Sequence, residues 1–184
     1  MFVQKAGLVY AIFIAIAGYL QYKLIAIAYL TTWNMNLQIL TLFVCTFIKN
    51  RSELKRKLLI LSWTCGWTVV IIFWGFIFPF TDSSKLPPTY QYISTHGGVH
   101  MFVVVLFFRN KFEIQGKDIL LPLGLYTVYM FGMLLPLKIF GIKIYPLIFE
   151  KFWPTIIAFI IIYVANLGIF WIGYVAKKKF KKQE

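Results

Sequence analysis

The chain has 184 residues, of which 60% are hydrophobic and only 14% are charged. A soluble domain carries about 25% charged residues, so this composition excludes a soluble enzyme and a disordered chain, and two cysteines are too few for a disulfide scaffold. A net charge of +13 would suggest nucleic-acid binding in a soluble domain. Here the basic residues lie between apolar runs, as topology signals do, so no nucleic-acid partner is expected. The composition predicts an all-α, polytopic integral membrane protein.

Six apolar runs follow one another along the chain, each long enough to cross a bilayer. They cover residues 6–22, 24–48, 58–80, 92–108, 119–137 and 152–176. The first two are separated only by Lys23, yet a single helix over 6–48 would be about 65 Å long, roughly twice the hydrocarbon thickness. The chain must therefore turn back near residues 22–29. The sequence predicts one domain of six transmembrane helices, followed by a basic tail at 177–184.

The basic residues predict the orientation of this bundle. With six spans, fourteen of them lie on the side of both termini and five lie on the other side. The positive-inside rule then places the N-terminus and the C-terminus in the cytosol. In that orientation Lys181-Lys182-Gln183-Glu184 matches a dilysine retrieval signal and predicts the endoplasmic-reticulum membrane; the alternative is an ordinary solvated basic tail.

The second run carries a stripe of polar side chains inside the membrane. At 100° per residue its members fall within an arc of about 80°, which predicts that they face the bundle interior; they are Thr31, Asn34, Gln38, Thr41 and Cys45. Membrane helices commonly use such residues for interhelical hydrogen bonds, and for most of the stripe this interpretation is favoured. Asn166 in the sixth run is a candidate of the same kind.

The fourth run opens with Ser94-Thr95-His96-Gly97-Gly98-Val99-His100, which contains both histidines of the chain. They are four residues apart and so share one helical face. A metal would need a third and usually a fourth ligand, and only Asp82 and Glu150 are acidic on that side, so neither a metal nor a cofactor is expected. The interpretations left open are two packed histidines, or a general base that takes a proton from a hydroxyl.

Together the second and fourth runs suggest ester hydrolysis. A threonine hydroxyl is a weak nucleophile unless a base lies beside it, and the topology places the starts of both runs at the non-cytosolic face. Asn34 or the main-chain amides of Gly97 and Gly98 would be donors to an oxyanion.

The same residues resemble the FAR-17a/androgen-induced family of multispan membrane proteins, whose members hydrolyse fatty acid esters of hydroxy fatty acids. The similar segments are Tyr22-Lys23, Leu30-Thr31-Thr32-Trp33-Asn34 with Gln38, Phe73-Trp74, His96-Gly97-Gly98-Val99-His100, Ile144-Tyr145-Pro146 and Asn166. The resemblance implies six helices, a nucleophile at Thr31 and a base at His100. The family usually has Asn-His-Gly-x-His where this chain has His96-Gly97-Gly98-Val99-His100, so His96 is expected only to support the chemistry. Supporting roles are also expected for Glu150 and Asn166. Asn34 and Gln38 are expected to orient the reacting groups.

Depth in the membrane argues for a different pair. Thr31 lies 18 residues from Lys49, about 27 Å along a straight helix, whereas His100 lies nine residues from Arg109, about 13 Å. By depth alone Thr41 would match His100 better, but the resemblance selects Thr31.

The leading expectation is therefore an intramembrane threonine hydrolase that takes lipid esters from the surrounding bilayer. The rival is a non-catalytic scaffold or a subunit of a larger membrane complex, in which the polar stripe only holds helices together. A small transporter would show an inverted repeat or paired broken helices, and the sequence has neither. The sequence identifies no protein partner.

Overall fold

The computed structural model describes residues 2–22, 29–80, 93–141 and 152–181. Within these ranges all regular structure is helical, which confirms the predicted all-α class. The α-helices there are α1 (Phe2–Tyr22), α2 (Leu30–Phe47), α3 (Ser52–Ile72), α4 (Val99–Arg109), α5 (Leu120–Tyr129), α6 (Leu135–Ile139) and α7 (Phe152–Lys181). The predicted turn near Lys23, the acids Asp82 and Glu150, and residues 182–184 of the tail lie outside the described residues.

Among the described residues, four helical stretches are long and apolar enough to cross a membrane: Phe2–Leu20, Ser52–Gly75, Gly116–Ile139 and Ile156–Phe180. They lie in the first, third, fifth and sixth predicted runs, and they are compatible with an integral membrane protein. The helices of the second and fourth runs differ from them. The second, α2, carries the polar stripe, and the fourth, which ends with α4, is shorter.

The helix α3 lies at the centre of the described bundle, where it packs against α2, α4, α5 and α7. Its Trp63 ring stacks on Phe107 of α4, with the ring centres 4.3 Å apart. The indole N–H of Trp63 donates to the carbonyl oxygen of Ile169 on α7 at 3.2 Å. Gly173 makes this approach possible, because a Cβ there would meet the indole ring. Small residues commonly allow helices to approach closely in membranes.

The outer faces of the helices remain apolar. Phe13 on α1 is 67% exposed, and Val164 and Ile172 on α7 are 60% and 64% exposed. Apolar surface of this extent is unusual on a soluble monomer, whereas a bilayer would cover it.

Three π-helical segments interrupt the α-helical geometry: Phe73–Ile77 directly after α3, Ser94–Gly98 directly before α4, and Met130–Leu134 between α5 and α6. A π turn shifts the angular position of the side chains that follow it and is frequently found at functional sites. The first two segments face one another, and they bring together the residues described below.

At one end of the bundle, an arginine forms ion pairs and a buried lysine forms a hydrogen bond, and both connect neighbouring segments. The Arg56 guanidinium of α3 bonds both Glu53 and the buried carboxylate of Asp118. On α7, the buried Lys177 donates to the carbonyl oxygen of Asn110 and lies over the ring of Phe112, 4.2 Å from its centre. The helix α7 thus continues through the first residues of the predicted basic tail.

Candidate active site

The hydroxyl of Thr31 meets a histidine, and that histidine is His96. Thr31 Oγ1 and His96 Nε2 are 3.2 Å apart, within hydrogen-bond distance. Thr31 lies in the first turn of α2 and His96 in the π-helical segment Ser94–Gly98. Both side chains are half-buried, so the pair lies at the edge of the bundle rather than in its closed core.

Two neighbours hold the His96 ring in place. Phe73 stacks on it, with the ring centres 3.5 Å apart and the planes 15° from parallel. Thr95 Oγ1 lies 2.9 Å from His96 Nδ1. When the ring proton is on Nδ1, that nitrogen donates to Thr95 and Nε2 accepts the proton of the Thr31 hydroxyl. This order of groups, a nucleophile, a base and a residue that orients the base, is the arrangement that activates a hydroxyl.

The helix α1 anchors the π-helical segment that carries His96. The Tyr10 hydroxyl donates to Ser94 Oγ at 2.6 Å, and a Cβ at Gly98 would lie 3.0 Å from the same tyrosine oxygen. The absence of a side chain at Gly98 therefore permits the close approach of Tyr10. At Gly97 no heavy atom of the described residues lies within 4 Å of the Cβ position, which leaves room beside the Thr31–His96 pair in this part of the chain.

His100 lies one turn deeper and makes different contacts. Its ring meets Trp67 edge to face, with centres 5.1 Å apart, and a Cβ on Gly66 would overlap it. The side chain is buried, and neither ring nitrogen has a hydrogen-bond partner among the described residues. The resemblance implied that His100 serves Thr31; the hydrogen bond to Thr31 in the structure comes from His96 instead.

The rest of the polar stripe on α2 is buried, as the helical periodicity predicted. Thr41 pairs with Ser62 of α3 at 2.6 Å and donates to the carbonyl oxygen of Leu37. Neither histidine is among its partners, so the structure offers Thr41 an interhelical role and no base. Asn34 and Gln38 are buried between Thr31 and Thr41, and Asn34 Oδ1 has no hydrogen-bond partner in the described part of the chain.

Asn166 lies on α7 and is fully buried. Its side-chain N–H donates to the carbonyl oxygen of Ile162 at 2.8 Å, one turn earlier on the same helix. No contact with Thr31 or His96 is among its hydrogen bonds. Glu150, the other predicted supporting residue, lies outside the described residues.

Sequence reasoning did not select Phe73, Thr95 and Tyr10, which position the pair. Phe73 was noted only within the Phe73-Trp74 segment of the family resemblance, and Thr95 only as the neighbour of His96. Within residues 2–22, 29–80, 93–141 and 152–181, no three potential metal-ligating side chains lie together.

Comparison with protein-family models, with curated proteins and with solved structures gives no match.

Proposed function

We propose that the protein is an intramembrane hydrolase of lipid esters, with Thr31 as the nucleophile and His96 as the base. The observation that carries the proposal is the 3.2 Å contact between Thr31 Oγ1 and His96 Nε2, with Thr95 at the other ring nitrogen. The family resemblance supplies the substrate class, fatty acid esters of hydroxy fatty acids. It also implies His100 as the base, whereas the hydrogen bond supports His96.

The reaction would proceed in two steps. Thr31 Oγ attacks the ester carbonyl carbon while His96 Nε2 takes the hydroxyl proton. The bond from that carbon to the alcohol oxygen breaks, and the departing alkoxide takes the proton from His96. The acyl group is now on Thr31, and water attacks it in the second step with His96 again as the base. Thr31 recovers its proton, and a fatty acid leaves.

Other predicted residues have proposed roles around this pair. The negative charge on the carbonyl oxygen would be stabilised by hydrogen-bond donors, and the main-chain amides of Gly97 and Gly98 are the candidates. The open space at Gly97 supports room for a substrate there. Asn34 and Gln38 are proposed to orient the reacting groups, since they follow Thr31 on the same face of α2.

The substrate is proposed to enter from the lipid. Thr31 and His96 are only half-buried, and the surrounding helices expose apolar side chains. A long acyl chain would remain in an apolar environment while its ester group reaches the hydroxyl. No soluble cofactor is needed for this chemistry.

The proposed topology has six spans, with both termini in the cytosol, because α2 and the helix that includes α4 would cross beside the four strongly apolar helices. The basic asymmetry supports the orientation. The endoplasmic-reticulum membrane is the proposed location, on the sequence Lys181-Lys182 alone.

The alternative is a non-catalytic scaffold. The Thr41–Ser62 hydrogen bond favours it for that part of the stripe, since this pair joins α2 to α3. The test is hydrolysis of a fatty acid ester of a hydroxy fatty acid by the purified protein in detergent. Thr31→Ala should abolish turnover and Thr32→Ala, the neighbouring threonine, should retain it. Absence of turnover in the wild-type protein would favour the scaffold, and equal turnover in both variants would contradict a nucleophile at Thr31.

A further inference from the structure

Three buried polar side chains lie just below the Thr31–His96 pair. The Thr41–Ser62 hydrogen bond fixes the register of α2 against α3, and these helices run in opposite directions. Asn34 lies seven residues before Thr41 on α2, about 10 Å away along the helix axis. It is therefore at the same depth as the residue that lies seven positions after Ser62 on α3. Gln38 lies between Asn34 and Thr41. His100 reaches α3 at Gly66, at a depth between those of Gln38 and Asn34.

Two members of this cluster, Asn34 and His100, have unused hydrogen-bonding capacity, and Gln38 is buried beside them on the polar face of α2. Asn34 Oδ1 and both ring nitrogens of His100 are buried without a partner among the described residues. A neutral imidazole has one N–H donor and one acceptor nitrogen, and an amide oxygen accepts. A single water molecule placed among them would donate to Asn34 and exchange a hydrogen bond with His100. Buried waters typically make about three such bonds.

We propose that Asn34, Gln38 and His100 bind a water molecule, and that this water hydrolyses the acyl–Thr31 intermediate. The proposal rests on the proposed function. Each turnover consumes one water molecule. Along α2, Asn34 is three residues or about 5 Å from Thr31 and Gln38 is seven residues or about 10 Å from it, while His100 follows His96 by four residues, about one turn. A water held there is close to the acyl group that Thr31 would carry.

The step balances with water alone. The water oxygen attacks the acyl carbon, and His96 Nε2 takes one of its protons. The bond between that carbon and Thr31 Oγ breaks, and Thr31 Oγ takes the proton back from His96. The products are the fatty acid and the free threonine. In this scheme the orienting role of Asn34 and Gln38 consists in holding the water.

The first test separates the two steps by rapid kinetics with a p-nitrophenyl fatty acid ester. The burst of p-nitrophenol measures acylation and the later steady rate measures deacylation. Asn34→Leu, which keeps the volume and removes the acceptor, should retain the burst and lower the steady rate by roughly tenfold or more. The acyl adduct should then be visible by intact-mass spectrometry, and hydroxylamine should restore turnover because it replaces the water. Asn36→Leu is the matched control, since Asn36 is on the same helix but exposed.

Equal losses in the burst and in the steady rate of Asn34→Leu, or no change in either, would overturn the proposal. If Asn34→Leu does not fold, Gln38→Leu gives the same test. A wild-type protein that releases no p-nitrophenol at all would refute the proposed hydrolysis itself, and the hydrolytic role of the water with it.

The second test needs no activity. The chain contains only two histidines, so ¹⁵N-histidine labelling gives a simple NMR spectrum. The ring of His100 should show a cross-peak to a bound water, which Asn34→Leu removes and Asn36→Leu leaves. Absence of that cross-peak from the wild-type spectrum would contradict the water site.

Discussion

Thr31 on α2 and His96 before α4 are 65 residues apart in sequence, and their side chains lie at hydrogen-bond distance, 3.2 Å. The contact joins the first turn of one helix to a π-helical segment at the start of another. His100, four residues later, is directed against Gly66 and Trp67 of α3 instead. The two histidines thus occupy distinct positions at two depths.

The first prediction distinguishes the roles of the two histidines. His96→Ala should lower the rate of acylation by two to four orders of magnitude, because it removes the base. The double variant with Thr31→Ala should be little worse, since the two residues act as one unit. His100→Gln should retain acylation. Rapid kinetics on equal amounts of folded protein measures the acylation rate of both histidine variants. Loss of acylation in His100→Gln, together with normal acylation in His96→Ala, would support His100 as the base, as the family resemblance implies.

The second prediction concerns Gly66. An alanine there would overlap the His100 ring, and overpacking of a filled interior costs about 1–3 kcal/mol. Gly66→Ala should therefore lower the thermal unfolding midpoint in detergent. Gly75→Ala is the control, because no heavy atom lies within 4 Å of its Cβ position. Unfolding of both variants at the wild-type temperature would contradict the close contact between Gly66 and the His100 ring.

The third prediction concerns the ion pair at the end of the bundle. Asp118 is buried and bonds both Arg56 and the main-chain N–H of Gln115. Asp118→Asn keeps the shape but weakens these charge-assisted bonds, which should cost about 1–3 kcal/mol. Glu53→Gln should cost less, because the Glu53 carboxylate is exposed to solvent. Urea or thermal unfolding of both variants tests the order, and a larger loss in Glu53→Gln would contradict it.

The fourth prediction tests orientation by cysteine labelling in sealed membranes. Lys57 and Phe140 are exposed at opposite ends of the proposed bundle. Lys57→Cys should react with an impermeant maleimide only from the cytosolic side, and Phe140→Cys only from the other side. The native Cys45 and Cys65 are buried, so they should give little background. Labelling of both positions from one side would exclude the proposed six-span topology.

The helical class and the inward polar stripe follow from the sequence because both depend on local periodicity and composition. The choice between the two histidines does not. It depends on the π-helical geometry at Ser94–Gly98 and on stacking with Phe73, which are set by the packing of distant segments. The turn predicted near residues 22–29 directly precedes the start of α2 at Leu30, although no glycine or proline marks that start in the sequence.

The continuation of α7 into the lysine-rich tail also depends on contacts with residues that are distant in the sequence. A run of lysines reads as a solvated tail, yet Lys177 is buried against Phe107 and Phe112 and bonds Asn110. Its long aliphatic stem allows the ammonium group to reach a carbonyl oxygen while the rest packs on apolar groups. Sequence composition does not specify such a partner.

The most direct test of the central claim is to locate a covalent adduct on the purified protein. The protein is treated with a long-chain fluorophosphonate, and the modified peptide is identified by mass spectrometry. The account predicts an adduct on Thr31 that is lost in Thr31→Ala, strongly reduced in His96→Ala and retained in Thr32→Ala. An adduct on another residue, or labelling of Thr31→Ala as strong as that of the wild type, would contradict a nucleophile at Thr31.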